Sequence, residues 1–370
     1  MKIAYLVHEY NRYNGHSRYV YELVSRYKKH HEIHVFATVW EEDNPEGINF
    51  HYVPAWRWKT LTSVLTSIIP STLQVSKEFD IIHAQGLCGF RQDVITAHLV
   101  QTAWLREFYK YNGSKGIGWI IWRYVVAPLE RLVFQKVMSK EVIAISEKVK
   151  CEIEKEYGRR DSVTVIYHGV DLDKFNPSNK EIYRKIIREN LGIDQNEFLA
   201  IFAGNIKKGG ASAIKAVARL NNCRLLILSG SDISEEKDLA IKLGIFDKTI
   251  WLPLKKDIEK YYAASDCLLF PTFYDTFGMV ISEAMATGIP VITTPCAGAS
   301  ELLRNGYDGF LVDDPKDISQ LSQTLDEVIK NPTLGLEIGK NARKKIEDYN
   351  WDKCASETMN VYNKIIQKNK

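Results

Sequence analysis

The feature that most constrains this chain is a repeated alternation of short, continuously apolar runs with amphipathic stretches. In the first half the runs are KIAYLVH, IHVFATV, DIIHAQ, DVITAH and EVIAIS, with HSRYVYELVSRYKKH between the first two. A strand wetted on one face alternates apolar and polar residues. A strand apolar throughout must be covered on both faces, as in a parallel sheet between helical layers. After HGVDLDKFNP and a polar helix the pattern restarts with FLAIFAGN, CRLLILSG, KTIWLPL, CLLFPTF and IPVITTP. The reading is α/β, with two doubly wound units. The length, 370 residues, is also about twice a typical domain of ~100–200 residues. The turn-rich DLDKFNPSNKE is the expected linker. We place the units at 1–172 and 173–351, with the amphipathic segment 352–370 joining the first.

Composition narrows the partners. A formal net charge of +3 is too small for a nucleic-acid-binding surface. Cys88, Cys151, Cys223, Cys267, Cys296 and Cys354 form no CxxC pair and no metal-spaced set with histidine, so neither zinc nor a disulfide framework is expected. The opening MKIAYLVHEY lacks the long apolar stretch and cleavage site of a secretory signal, and the expected location is cytoplasmic. Charge does concentrate locally. Segment 101–140 carries Arg106, Lys110, Lys115, Arg123, Arg131, Lys136 and Lys140 against Glu107 and Glu130, interleaved with aromatic residues such as Trp104, Phe108, Tyr109, Trp119, Trp122, Tyr124 and Phe134. Two readings fit it: a peripheral surface for an anionic membrane, or core helices with solvated basic flanks.

Two stretches of the second unit carry candidate chemistry. FLAIFAGNIKKGG ends a strand in a glycine-containing loop, where doubly wound folds bind ligands, and makes Asn205, Lys207 and Lys208 candidates to meet a diphosphate. In FYDTFGMVISEAMATG a buried strand hands over to a helix that ends at Gly288. The backbone N–H groups of Phe277, Gly278, Met279 and Val280 lie at the positive end of that helix and suit phosphate oxygens. Gly278 permits close backbone approach. Glu283, further into the helix, suits a ribose diol, and Asp275, before it, suits hydroxyls beyond the phosphates. Taken singly, each residue has a plainer reading: a turn, a helix cap, a solvated acid.

Taken together, Asp275-TFGMVIS-Glu283, then AMATGIPVITT and GASELLRNGYDGFLV, resemble the acid–seven–acid signature of the retaining GT-B glycosyltransferases of family four. VIAISEKVK, YHGVDLDKFNP and AASDCLLFPTFYDTFG resemble further landmarks of that family, in its order. FATVWEEDNPEGINFHYVP and Asp275 in the first acid position are most similar to bacterial lipopolysaccharide-core hexosyltransferases. The chain departs from the family pattern at four places. Asp275 stands where most members have Glu, Asn14-Gly15 replaces a Gly-Gly pair, Asn205 replaces an Arg, and His168 replaces an Asn.

The resemblance implies two Rossmann-like domains facing each other across a cleft, with the donor in the C-terminal one. It implies transfer of a hexose from a nucleotide sugar to a glycan or lipid-linked acceptor, with retention and without a metal or other cofactor. Lys208, with Lys207 and the helix-start N–H groups, would neutralise the leaving diphosphate, as fixed electrostatic groups do. Asp275 and His98, in DVITAHLVQ, would orient the sugar, Gly15 would approach the donor, and the base would lie near Leu252 to Leu254. His16 is a further cleft candidate, and His8 and His83 are read as structural. Two rivals remain on the same residues: a nucleotide-sugar 2-epimerase, and a nucleotide-sugar-binding subunit without catalysis. A dehydrogenase is disfavoured, because no GxGxxG follows the first strand.

Overall fold

The computed structural model describes residues 1–12, 15–40, 46–58, 60–112 and 117–369. Contacts divide the chain into a unit of Met1–Gly169 with Trp351–Lys370 and a unit of Val170–Asn350.

In the first unit seven parallel strands form one sheet: β1 (Lys2–Leu6), β2 (Glu32–Ala37), β3 (Ile48–Tyr52), β4 (Ile81–Gln85), β5 (Val94–Ala97), β6 (Glu141–Ala144) and β7 (Val163–Val165), in the order β3-β2-β1-β4-β5-β6-β7. Ile3 to Leu6, Ile81 and Val94 are fully buried, as doubly covered strands require. The C-terminal helix, Trp351–Asn369, docks on this unit through polar bonds as well as apolar ones. The Tyr362 hydroxyl lies 3.0 Å from that of Tyr5 and 2.6 Å from His83 Nδ1, and Arg26 pairs with Asp352 at 2.6 Å.

The second unit has six parallel strands: β8 (Phe198–Ala203), β9 (Cys223–Leu228), β10 (Thr249–Leu252), β11 (Cys267–Phe270), β12 (Val291–Thr293) and β13 (Phe310–Leu311). Their order, β10-β9-β8-β11-β12-β13, reverses direction between β8 and β11. In such sheets ligands bind outside the carboxyl ends of the strands at that reversal. Arg188, fully buried, ties the opposite end together: it bonds the carbonyls of Ala264, Asp194 and Glu197 and the carboxylate of Asp266. Among the described residues no helix is long and apolar enough to cross a membrane.

Candidate active site

The loops after β8 and β11 flank the reversal point of the second sheet. After Ala203 the chain turns through Asn205, whose side chain accepts the Lys207 N–H at 3.0 Å, into the short 3₁₀ helix Ile206–Lys208. Gly209 follows at φ +143°, where a Cβ would lie 2.2 Å from the Pro271 carbonyl oxygen. Only glycine lets the two loops come this close. The Phe273 N–H then bonds the Lys208 carbonyl at 3.3 Å, and Lys208 Nζ meets Asp275 Oδ2 at 2.7 Å.

Asp275 is pinned on all sides. Its N–H bonds the Cys296 carbonyl at 3.0 Å, its carbonyl takes the Gly298 N–H at 3.2 Å, and Oδ1 accepts the Phe277 N–H at 3.3 Å. Gly278, at φ +87°, starts the helix Met279–Thr287, and no side chain caps that start. Unpaired N–H groups at a helix start favour an anion. Phe277 is 2% exposed, and its carbonyl accepts the Ala299 N–H. Both backbone polar groups of Phe277 are thus engaged inside the loop, so the expected phosphate contact of its N–H is not available, and the N–H groups that follow it at the helix start are what this turn offers a ligand. Glu283 lies on the same helix, 7% exposed, and accepts the Tyr262 hydroxyl proton at 3.2 Å.

The two lysines part company. Lys207 turns to Glu235 at 2.6 Å and Glu236 at 3.2 Å, so its charge is already balanced and only Lys208 joins Asp275. Leu252 ends β10 half-buried, and Leu254 is 53% exposed beyond it.

In the first unit His98 follows β5, and its Nε2 lies 2.8 Å from Gln85 Oε1 at the end of β4. His98 Nδ1 is buried with no hydrogen-bond partner. Tyr19, His168 and His16 surround the ring, with centroids 5.2, 5.3 and 6.0 Å away. Burial, and then the neighbouring His168, His16 and His83, hold the His98 pKa well below the usual imidazole range. The ring is neutral at pH 7, a hydrogen-bonding group rather than a cation. Burial likewise holds His8 at about 4 and His83 at about 3, and lowers His16. Gly15 opens the helix Gly15–Tyr27, while Asn14 lies outside the described residues.

Sequence reasoning missed Gln85 and Tyr262, the partners of His98 and Glu283. Gln85 had a visible signal, a polar residue closing the apolar run DIIHAQ. Tyr262 had none, since it reaches Glu283 from another helix.

The basic, aromatic segment 101–140 divides. Phe134 is fully buried, whereas Tyr124, Leu132 and Val137 are exposed beside Arg123, Arg131 and Lys136. The Arg123 guanidinium lies 5.3 Å from the Trp119 ring centroid and 5.8 Å from that of Tyr124. Arg106 is drawn to Glu107 and Glu156, and Lys115 lies outside the described residues.

Comparison with known proteins bears on the family and the fold. Residues 13–174 match Glycosyltransferase Family 4 and residues 183–345 match Glycosyl transferases group 1. A D-inositol 3-phosphate glycosyltransferase of Gordonia bronchialis is 30% identical over 349 residues, covering 87% of this chain and 73% of that protein. The chain therefore belongs to the family 4 (group 1) glycosyltransferases. Two other curated relatives, 30% and 29% identical, are spanned over only 60% and 53% of their lengths. Among solved structures, WaaG, a glycosyltransferase involved in lipopolysaccharide biosynthesis, is similar at a TM-score of 0.81 and 21% identity, covering 97% of this chain and 99% of that one. The Anabaena protein HepE, solved with UDP and glucose, is similar at 0.75 and 19% identity, covering 98% of this chain and 99% of that one. The fold is GT-B, built from two Rossmann-like domains with parallel sheets of seven and six strands.

Proposed function

We propose that the chain transfers a hexose from UDP-hexose to a glycan or lipid-linked acceptor in cell-envelope polysaccharide biosynthesis, retaining the anomeric configuration and requiring no metal. The observation that carries this reading is the Lys208–Asp275 pair at the reversal point of the second sheet, beside an uncapped helix start. The nucleotide is chosen because HepE was solved with UDP and glucose. The lipopolysaccharide direction rests on the likeness to WaaG and on the motif resemblance.

In this mechanism the bond from the anomeric carbon to the diphosphate breaks, and its electron pair leaves with the phosphate oxygen. Lys208 exchanges Asp275 for that oxygen, and the Met279 and Val280 N–H groups hold its neighbours, so fixed charge and dipoles meet the developing anion. Asp275, released from the lysine, turns to the sugar hydroxyls. The acceptor hydroxyl bonds to carbon on the face the diphosphate leaves, and its proton passes to the departing phosphate. Glu283 takes the ribose diol, and the base rests near Leu252 and Leu254. Lys207 reaches the diphosphate only by giving up Glu235 and Glu236. His98 serves the sugar as a neutral partner, its ring set by Gln85.

We assign the exposed Arg123, Arg131 and Lys136, with Tyr124 and Leu132, to an anionic membrane at the inner face of the cytoplasmic membrane, where a lipid-linked acceptor resides.

The test is a thermal-shift screen with UDP-, GDP-, ADP- and dTDP-sugars in EDTA, followed by NMR of the product's anomeric configuration. Binding ligand raises the melting temperature by mass action. A rise with UDP-hexose that Glu283→Ala abolishes supports the donor site, and an α-product from an α-donor supports retention. No rise with any nucleotide sugar, or a rise that requires divalent metal, overturns the reading.

A further inference from the structure

The second unit carries a cavity of ≈ 830 Å³ at the amino ends of its strands, the sheet edge opposite Lys208 and Asp275. Its walls come from the helix Asn179–Asn190, from the residues that open β8, β9, β10, β11 and β12, and from Val328, Pro332 and Leu336 of the helices Ile318–Lys330 and Pro332–Ile346. Small-molecule sites commonly enclose about 300–1,000 Å³.

The charge inside is lopsided. Lys180, Arg184, Arg224 and Lys248 are half-buried in the lining, whereas the acids Asp194, Glu197 and Asp247 are exposed at its rim. The only half-buried carboxylate of the lining, among the described residues, is Asp266. It is already held by Arg184 at 2.7 Å and by the fully buried Arg188 at 2.7 Å, and it also accepts the Leu199 N–H. Two guanidiniums on one carboxylate leave a surplus positive charge.

One cation of the lining is left without an anion: among the described residues no carboxylate pairs with the Lys180 ammonium. Arg224 pairs with the exposed Glu197 at 3.6 Å and bonds backbone carbonyls through its outer nitrogens, and only its Nε–H is buried without an acceptor. Burial, with Arg184 alongside, holds the Lys180 pKa below the usual lysine range. A desolvated cation without an anion is costly to keep, and a bound anion removes that cost.

The geometry points to a second ligand site here, for a phosphate-bearing small molecule, held by Lys180, Arg184 and Arg224 and separate from the nucleotide-sugar cradle. The cavity exceeds the volume of phosphate alone and has room for the organic part of a phosphomonoester.

The experiment is a melting and calorimetric titration of the full chain at constant ionic strength. The probes are inorganic phosphate, ribose 5-phosphate and ribose, and the proteins are wild type, Lys180→Met and Lys208→Met. Both phosphates should raise the melting temperature by about 3 °C at a hundredfold excess over Kd, and ribose should not. Lys180→Met should bind phosphate at least ~10-fold more weakly, because it removes a charge-assisted contact. Without ligand it should melt no lower than wild type, since it removes an unpaired desolvated cation; a lower melting point would mark Lys180 as structural and overturn the assignment. Lys208→Met should keep the response. Tighter binding of ribose 5-phosphate than of inorganic phosphate names an organic phosphate as the occupant, and equal binding names phosphate itself. The proposal falls if matched chloride gives the same shift, if Lys180→Met responds like wild type, or if Lys208→Met alone loses the response.

Discussion

The two halves of the molecule carry opposite chemistries on closely related sheets. All nine histidines lie in the N-terminal unit, and none lies between Val170 and Asn350. Around His98, the rings of His16, His168 and Tyr19 form a desolvated aromatic cluster in which His98 is neutral. The C-terminal unit builds its strand-end site from a lysine–carboxylate pair, positive-φ glycines and an uncapped helix. In the proposed mechanism the neutral cluster meets sugar hydroxyls and the ionic one the departing diphosphate, so the same strand order would serve sugar recognition in one unit and charge stabilisation in the other.

The largest expected effect separates the two roles directly. Lys208→Ala should lower kcat/KM for UDP-hexose by ~10²–10³-fold, the size of losing one preorganised charge at a leaving group, and should weaken UDP binding as well. His98→Ala should lower kcat while leaving the Kd for UDP within about twofold, since it serves the sugar and not the nucleotide. The comparison breaks if steady-state kinetics and calorimetry show the two variants losing UDP affinity equally.

A second contrast concerns the surface. Replacing Arg123, Arg131 and Lys136 together with Ala should weaken binding to anionic vesicles by ~100-fold, at about 1 kcal/mol for each basic residue near the membrane. UDP affinity, a property of the other unit, should not move. Unchanged vesicle sedimentation would return the segment to a solvated flank.

Acidification should also tell the units apart. His8 and His83 are held at about 4 and 3, against 6.5 in the open chain. Their folded pKa values lie below the unfolded one, so the stability they contribute is complete above pH 6.5 and is lost as pH falls towards 4. At pH 4.5 the loss is on the order of 2–3 kcal/mol per histidine. Glu130, held at about 8 by burial, acts with the opposite sign: its contribution is lost as pH rises through 8 and restored by pH 4.5. Two or more histidines outweigh it. Hydrogen exchange resolved by segment should show residues 1–169 losing protection between pH 6.5 and 4.5 before residues 170–350 do. Equal loss in both units would contradict the assignment.

What was legible in the sequence follows the same physics. Each apolar run singled out became a strand, because strands covered on both faces cannot hide their composition. The strands of the two large sheets that were not anticipated, Ile48–Tyr52, Val163–Val165 and Phe310–Leu311, are all at sheet edges, where half-exposed positions dilute the pattern. In the site, Lys208 and Asp275 were visible as charges at strand ends. The diversion of Lys207 was not, because Glu235 and Glu236 lie 28 and 29 positions further along and meet it only after folding. Arg188 read as one more charge on a polar helix, and nothing local marks it as the buried tie beneath the sheet.

The smallest effect probes how far positioning matters in the ionic unit. Tyr262 is fully buried, its ring 5.9 Å from that of Phe175, and its hydroxyl donates to Glu283 Oε2. Tyr262→Phe keeps the packing and removes only that donor, so the fold should survive. Glu283 then loses the contact that fixes its carboxylate towards the ribose, and UDP affinity should fall about fivefold, near the ~1 kcal/mol net value of one hydrogen bond. Glu283→Ala, which removes the carboxylate itself, should cost substantially more. The gap between the two in a calorimetric titration measures orientation separately from contact. If Tyr262→Phe costs as much as Glu283→Ala, the hydroxyl itself touches the nucleotide and the ribose assignment of Glu283 fails. If it costs nothing, the helix alone holds the carboxylate in place, and the ionic unit is more rigidly preorganised than the histidine cluster, whose His98 depends on Gln85.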